Sequence, residues 1–116
     1  MERFSKYFLI LFCTAITVSC NNDSAKLTIT DFSNSKAITL KPNEGYPYAM
    51  MNLWVEGYVD DTILIKLGSN DNVPILKLSG KIKERWYTDY YGGGPRTIII
   101  EPYKATKGEL EIEFSL

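Results

Sequence analysis

The chain has 116 residues, of which 45% are hydrophobic and 23% are charged, and its 13 basic side chains are balanced by 14 acidic ones. This length fits one small domain, and the lack of a basic excess argues against nucleic acid as a partner. Because the sequence contains no histidine, it excludes Ser-His-Asp and Cys-His catalysis and histidine-based zinc sites, and we predict neither a cofactor nor a metal ion.

A basic start and a short apolar run open the chain. Arg3 and Lys6 precede an apolar segment that extends from Tyr7 to Val18. As a helix, a segment of about 12 residues would reach only about 18 Å, which is short of the roughly 30 Å hydrocarbon core of a bilayer. The pattern is typical of a secretory signal peptide, and we predict a cleaved signal helix over residues 1–19.

The apolar run ends at a cysteine. Residues Thr17-Val18-Ser19-Cys20 resemble the bacterial lipobox, in which a small residue precedes a cysteine that is lipidated and becomes the new N-terminus. The resemblance implies a multiply acylated Cys20, which is a permanent membrane anchor, and a location in the bacterial cell envelope, at the outer membrane or the cell surface. Residues 20–25 would form a polar tether. The alternative is that Cys20 is a free thiol after ordinary signal cleavage. Because Cys13 is removed with the signal, Cys20 would have no disulfide partner in the mature chain.

Alternation of apolar and polar residues dominates residues 26–116, which we interpret as a single domain. Leu110, Ile112 and Phe114, for example, alternate with three glutamates, as in a strand with one wet face. Turn signals recur too often for a helix of ordinary length. We therefore predict an all-β fold, an antiparallel β-sandwich of jelly-roll or immunoglobulin-like type, with a small closed barrel also open. The eight predicted strands cover about residues 26–31, 36–41, 46–58, 62–67, 73–79, 81–90, 96–102 and 109–115.

Aromatic residues are concentrated in two of these strands. In the strand over 81–90, Trp86, Thr88 and Tyr90 share one face, and Arg85 shares the other with the tyrosines at 87 and 91. Flat rings give contact area at low entropy cost, and neighbouring charges orient a ligand. The alternative is that these rings are cross-strand pairs or core. The predicted ligand-binding residues are Tyr87, Asp89, Tyr91 and Arg96, with Trp54 and Tyr58 on the aromatic-rich face of strand 46–58 as a second set.

Two classes of function remain open from the sequence. The first is a non-catalytic binding module at the envelope whose partner is a protein or a glycan. The second is an envelope hydrolase that uses two carboxylates about 5 to 10 Å apart; its candidates are Asp60, Asp61, Asp89 and Glu101. A structural or assembly lipoprotein without a small ligand is a third possibility. We predict the non-catalytic module.

Overall fold

The computed structural model describes residues 18–21, 23–68, 73–90 and 94–116 of the chain. All regular secondary structure in these residues is β-strand, and every strand pairing is antiparallel, so the predicted all-β antiparallel class is confirmed. No helix in these residues is long and apolar enough to cross a membrane. The strands are β1 (Val18–Asn21), β2 (Ser24–Ile29), β3 (Lys36–Leu40), β4 (Met50–Leu67), β5 (Leu76–Asp89), β6 (Arg96–Glu101) and β7 (Gly108–Ser115).

The seven strands form one sheet in which β4 is the central element. The order is β1-β2-β7-β4-β6-β3, and β5 pairs with the remaining edge of β4. The first half of β4 pairs with β7, from Asn52 to Val59, and its second half pairs with β6, from Leu64 to Leu67. Since one strand changes partner along its length, the sheet has to roll. This brings β3 back against β2 and β7, so the sheet is nearly closed.

Two predicted chain reversals are bends within strands. The predicted strands 46–58 and 62–67 form the single strand β4, because the register with β5 shifts between Val59 and Ile63 while pairing continues on both sides. The predicted strands 73–79 and 81–90 likewise form β5, in which Gly80 lies opposite Val59 with a φ of 70°. The eight predicted strands are therefore reduced to six, because these turn-forming residues accommodate a bulge where β4 changes partner, and the unpredicted β1 brings the described strands to seven.

The N-terminal strand β1 was not predicted. It pairs with β2, and Cys20 lies opposite Ala25. Part of the predicted polar tether thus lies in strands: β1 ends at Asn21, and β2 begins at Ser24 and pairs through the buried Ala25 with Phe114 of β7. Most of the predicted signal helix, residues 1–17, lies outside the described residues. Cleavage after Ser19 stays a prediction.

The core lies on the concave side of the rolled sheet. The alternation of β4 places Met51, Leu53, Val55 and Val59 on this side, and all four are buried. They pack with the inward side chains of β6 and β7. The largest fully buried side chains are Phe114, Leu40, Leu53, Ile63, Ile65, Ile98, Leu110, Ile112, Val55 and Val59. The residues that alternate with these buried ones along β4, from Asn52 to Tyr58, therefore point outward, away from the core.

Candidate binding face

The outward side chains of β5, β4 and β7 form a continuous surface, which we call the outer face. The register sets its neighbours: Trp54 has Arg85 of β5 on one side and Glu113 of β7 on the other. One step along β4, Asn52 lies opposite Tyr87. Directly opposed side chains in an antiparallel pair have Cβ atoms only about 5 Å apart. The outer face consists of Lys81, Lys83, Arg85 and Tyr87 on β5, of Asn52, Trp54, Glu56 and Tyr58 on β4, and of Glu109, Glu111 and Glu113 on β7.

Arg85 joins two aromatic rings on this face. Its guanidinium carbon lies 5.5 Å from the centroid of the Trp54 ring and 5.1 Å from that of Tyr87. The Nη2 group donates a hydrogen bond of 3.0 Å to Oδ1 of Asn52. Both rings therefore hold the cation in place, since each attracts it through its π face. We call Trp54, Arg85, Tyr87 and Asn52 the aromatic platform; Tyr87 is 57% exposed, so its ring is open to a ligand.

Charges of opposite sign flank the platform. On β5 the outward row contains Lys81, Lys83 and Arg85, whereas the outward row of β7 contains three glutamates. These rows lie on either side of β4 and are about 10 Å apart, two steps between neighbouring strands. Tyr58, 52% exposed, lies between Lys81 and the β7 row. The outer face thus has a basic edge and an acidic interior with aromatic rings between them.

Two glycines bring β4 and β7 unusually close together beside Tyr58. Gly57 has a φ of 143° and Gly108 a φ of 152°. A Cβ at Gly57 would overlap the carbonyl oxygen of Glu109, and one at Gly108 would overlap the carbonyl oxygen of Tyr58. Only glycine permits this approach. The result is a shallow depression lined by Glu56, Gly57, Tyr58, Glu109 and Glu111.

The predicted ligand-binding residues fall into two groups. Tyr87 and Trp54 come together in the platform. Tyr58 shares their face but lies four residues further along β4, about 13 Å from Trp54. Asp89 is exposed two positions beyond Tyr87 on β5, and Tyr91 lies outside the described residues.

Arg96 is not on the outer face. It begins β6, which pairs with β3 and with the second half of β4 instead of β5. Its guanidinium carbon lies 4.8 Å from the ring centroid of Tyr90, whose hydroxyl donates to the carbonyl of Gly94. Arg96 and Asp89 both line a cleft of about 540 Å³ between Thr88 and Thr97. The sequence grouped Arg96 with Tyr87, but the strand order separates them.

A second aromatic group holds the end of the sheet near the N-terminus of β2. The Tyr48 hydroxyl donates to Oδ2 of Asp23 at 3.0 Å and accepts the backbone N–H of Asn43 at 2.7 Å. Its ring contacts Tyr46 at 4.8 Å and meets Tyr90 edge-on at 6.0 Å. Burial raises the pKa of Tyr48. Tyr48 precedes β4 and has a structural role, although it falls within the predicted strand 46–58.

The four candidate carboxylates do not form the arrangement that a two-carboxylate hydrolase needs. Asp60 accepts hydrogen bonds from the hydroxyl and backbone N–H of Thr106 and from the N–H of Lys107, which lower its pKa to about 2. A general acid must instead hold its proton near neutral pH. Asp89 pairs with the first residue of β4, about 30 Å along the strand from Asp60, and Glu101 forms an ion pair of 2.8 Å with Lys66.

Among the described residues, Asp61 makes only a local contact, and no metal site takes the place of an acid pair. The Oδ1 atom of Asp61 accepts the N–H of the next residue, Thr62, at 2.7 Å. In the part of the chain that the structure describes, no group of three or more acidic or sulfur side chains is arranged to hold a metal ion. The outer face therefore offers contact area, hydrogen bonds and charge, which are means of binding.

Comparison with known proteins adds little. The sequence matches no family profile, and no curated protein matches it. Solved structures of CBM29-2, a family 29 carbohydrate binding module, are similar at 14% sequence identity. The match to one variant covers 87% of this chain and 76% of that variant's chain, with a TM-score of 0.43. The match to another variant, complexed with mannohexaose, covers 86% of this chain and 74% of that variant's chain, with a TM-score of 0.44. No functional conclusion follows from a likeness this distant.

Proposed function

We propose that this protein is a small non-catalytic domain that binds a glycan through the aromatic platform and is held at the bacterial cell envelope by a lipid on Cys20. The observation that carries the glycan part is the contact of Arg85 with both Trp54 and Tyr87 on an open sheet face. The lipid part rests on the resemblance of residues 17–20 to a lipobox.

The platform has the chemistry that a sugar ring requires. A pyranose has an apolar C–H face that stacks on a flat aromatic ring, and a rim of hydroxyls that need hydrogen-bond partners. The exposed Tyr87 ring supplies the flat surface, and Arg85 and Asn52 supply donor and acceptor groups beside it. Because the cation and the rings already hold one another, little side-chain entropy is lost when a ligand binds.

The shape of the outer face favours an extended ligand. The platform lies on the outward side of β4 and β5 and is open to solvent, whereas small-molecule sites are usually concave and enclose most of the ligand. The row from Tyr87 to Lys81 follows β5 for six residues, about 20 Å. This length accommodates several consecutive sugar units, so a polysaccharide fits better than a free monosaccharide.

Substitutions on the platform test glycan binding. The full chain is titrated with a panel of soluble polysaccharides by calorimetry or affinity electrophoresis. Trp54→Ala and Tyr87→Ala should each weaken binding about tenfold or more, as removal of a stacking ring typically does. Tyr103→Asn is the matched control, because Tyr103 is also exposed and lies 5.5 Å from a cation, Lys104, but is outside the outer face; asparagine tolerates its φ of 53°. A glycan bound equally well by all three variants contradicts the proposal.

The anchor is tested on the N-terminus of the processed protein. In a bacterial host, mass spectrometry should find Cys20 as the first residue with a diacylglycerol and an acyl chain attached. An unmodified Cys20 after cleavage would support the alternative of a secreted protein with a free thiol. An intact N-terminus beginning at Met1 would contradict both readings.

A protein partner is the second candidate, and the free edge of β5 favours it. Among the described residues, β5 pairs only with β4 along its 14 residues. An exposed strand edge of this length accepts an added strand from another protein. Strand addition depends on the β5 backbone, so it should survive Trp54→Ala, which changes a side chain on β4. A partner that binds Trp54→Ala and the unchanged chain equally well identifies this mode.

A further inference from the structure

The basic edge of the outer face bears on the type of glycan. Lys81, Lys83 and Arg85 occupy alternate positions of β5, so their side chains point to the same side at intervals of about 7 Å. All three are exposed. They continue the line of Tyr87 along the strand. We call these three cations the basic row; it starts inside the aromatic platform, because Arg85 belongs to both.

In the described part of the chain, no carboxylate forms an ion pair with the basic row. The ion pairs found among the described residues join Lys36 to Asp31 and Lys66 to Glu101. Lys81 lies opposite Tyr58, and Lys83 lies opposite Glu56 without reaching ion-pair distance. Two ammonium groups are therefore available to an external anion next to a stacking surface.

The three outward glutamates of β7 limit the orientation in which an anionic chain can lie on the outer face. Glu109, Glu111 and Glu113 follow the opposite side of β4, about 10 Å from the basic row. An anionic chain that crossed the strands would meet these carboxylates, whereas one that runs parallel to β5 stays beside the cations. Repulsion by the glutamates and attraction by the cations thus both favour a ligand that runs parallel to β5.

We infer that the glycan is an acidic polysaccharide that lies along β5, with one sugar ring on the platform and its carboxylate or sulfate groups at Lys81 and Lys83. This inference rests on the proposed function, since it assigns the charge of the ligand to a surface already proposed to bind sugar. The exposed ring of Tyr87 lies in line with the cations on β5, and a flat ring beside a row of cations matches a chain of sugar rings that carries acidic groups.

The test compares three polysaccharides and two pairs of substitutions. The full chain is titrated with polygalacturonate, which carries carboxylates, with dextran sulfate, and with neutral dextran. The double variant Lys81→Gln, Lys83→Gln removes the two free cations, and Lys41→Gln, Lys104→Gln removes two exposed cations outside the outer face. Circular dichroism and thermal midpoints establish that the variants are folded.

The expected result has three parts. At least one acidic polysaccharide binds more tightly than dextran, and its affinity falls roughly tenfold when ionic strength rises from about 0.02 to 0.15 M. The double variant at positions 81 and 83 loses about tenfold in affinity and most of the salt dependence, whereas the control pair keeps both. Trp54→Ala also weakens binding. The affinity for polygalacturonate compared with that for dextran sulfate shows whether carboxylate or sulfate groups bind the basic row.

Other outcomes overturn the inference in distinguishable ways. If a neutral glycan binds best, depends on Trp54 and ignores the lysine changes, the charge assignment fails and the proposed function stands. If acidic polysaccharide binding depends on the lysines but not on Trp54 or Tyr87, both fail. Vesicles that contain phosphatidylglycerol are titrated as a fourth probe. If they alone bind, and the lysine changes abolish this binding, the basic row contacts the membrane instead.

Discussion

Asp60 shows how hydrogen bonds determine the role of a single carboxylate. The sequence made it a candidate for acid catalysis, but the structure gives it three donors from Thr106 and Lys107. The backbone N–H of Asp60 in turn donates to the Lys107 carbonyl. Both the backbone and the side chain of Asp60 therefore connect the bulge of β4 to the loop before β7. The carboxylate must be ionised to accept all three bonds, which is why its pKa falls from 3.8 to about 2.

This pKa shift predicts how stability varies in acid. The folded pKa is below the unfolded one, so the contribution of Asp60 is complete above about pH 4 and is lost as the pH falls towards 2. Asp60→Asn should therefore lower the urea midpoint at pH 7 and flatten the pH dependence between pH 4 and 2. Asp61→Asn is the matched control, since within the described residues Asp61 bonds only to its neighbour Thr62. Equal loss of stability between pH 4 and 2 in Asp60→Asn and the unchanged chain would rule out this role.

Gly57 allows a second test at a single position. A Cβ there would combine an unfavourable φ of 143° with overlap on the Glu109 carbonyl. We expect Gly57→Ala to lower the free energy of unfolding by about 2 to 4 kcal/mol. Gly80→Ala is the comparison, because Gly80 has a φ of 70° but nothing within 4 Å of its Cβ position, so about 1 kcal/mol is expected. Equal costs in urea denaturation would show that the close approach of β4 and β7 is unimportant.

At the level of strands, local alternation was sufficient to predict faces but not chain reversals. The period of two in residues 109–114 correctly predicted a buried face of Leu110, Ile112 and Phe114. The sequences Asp60-Asp61 and Ser79-Gly80 have the composition of turns, yet each lies within a strand. They lie opposite one another, where β4 leaves β7 for β6. Such residues bend a strand when the neighbouring strands continue to pair on both sides of them, and reverse the chain when they do not. The alternation of apolar and polar residues carries no information about this pairing.

The same limit applies to the candidate site. The sequence placed Arg85 and Tyr87 on one face of a strand and Trp54 in another aromatic group. Their contact depends on Trp54 and Arg85 being directly paired, and register is a property of two strands. Arg96, near in sequence to Tyr87, lies elsewhere because β6 does not pair with β5.

The edge strand β1 has a prediction of its own. Among the described strands, β1 pairs only with β2. Asp23 follows β1 in the chain, so its contacts with Tyr48 and Leu116 do not involve β1. A chain that begins at Asn21 should therefore fold with a free energy of unfolding within about 1 kcal/mol of the longer one. A chain that begins at Leu27 loses Asp23 and the buried Ala25, and its loss of stability in urea should be several times larger. A loss of several kcal/mol in the chain that begins at Asn21 would show that β1 is essential.

For the whole molecule, the arrangement of strands places the proposed anchor and the platform at one end. Cys20, Ala25, Phe114 and Leu53 form a row across β1, β2, β7 and β4. Three steps between strands make this row about 14 Å long, and Trp54 follows Leu53 on the outer face. A lipid on Cys20 would thus hold the platform near the membrane surface. A bound polysaccharide would be kept close to the membrane, with the basic row leading away from it.

Anchoring and glycan binding should therefore be separable by substitution. Cys20→Ala removes the sulfur that carries the lipid and should move the protein from the membrane fraction to the soluble fraction, while the affinity of the purified protein for polysaccharide is unchanged. Trp54→Ala should remain in the membrane fraction, since it leaves the anchor intact, but membranes that contain it should retain less polysaccharide. The measurements are fractionation with immunodetection and capture of labelled polysaccharide by isolated membranes. If Cys20→Ala remains with the membranes, another element holds the protein there; if Trp54→Ala membranes capture polysaccharide normally, the platform is not the binding surface.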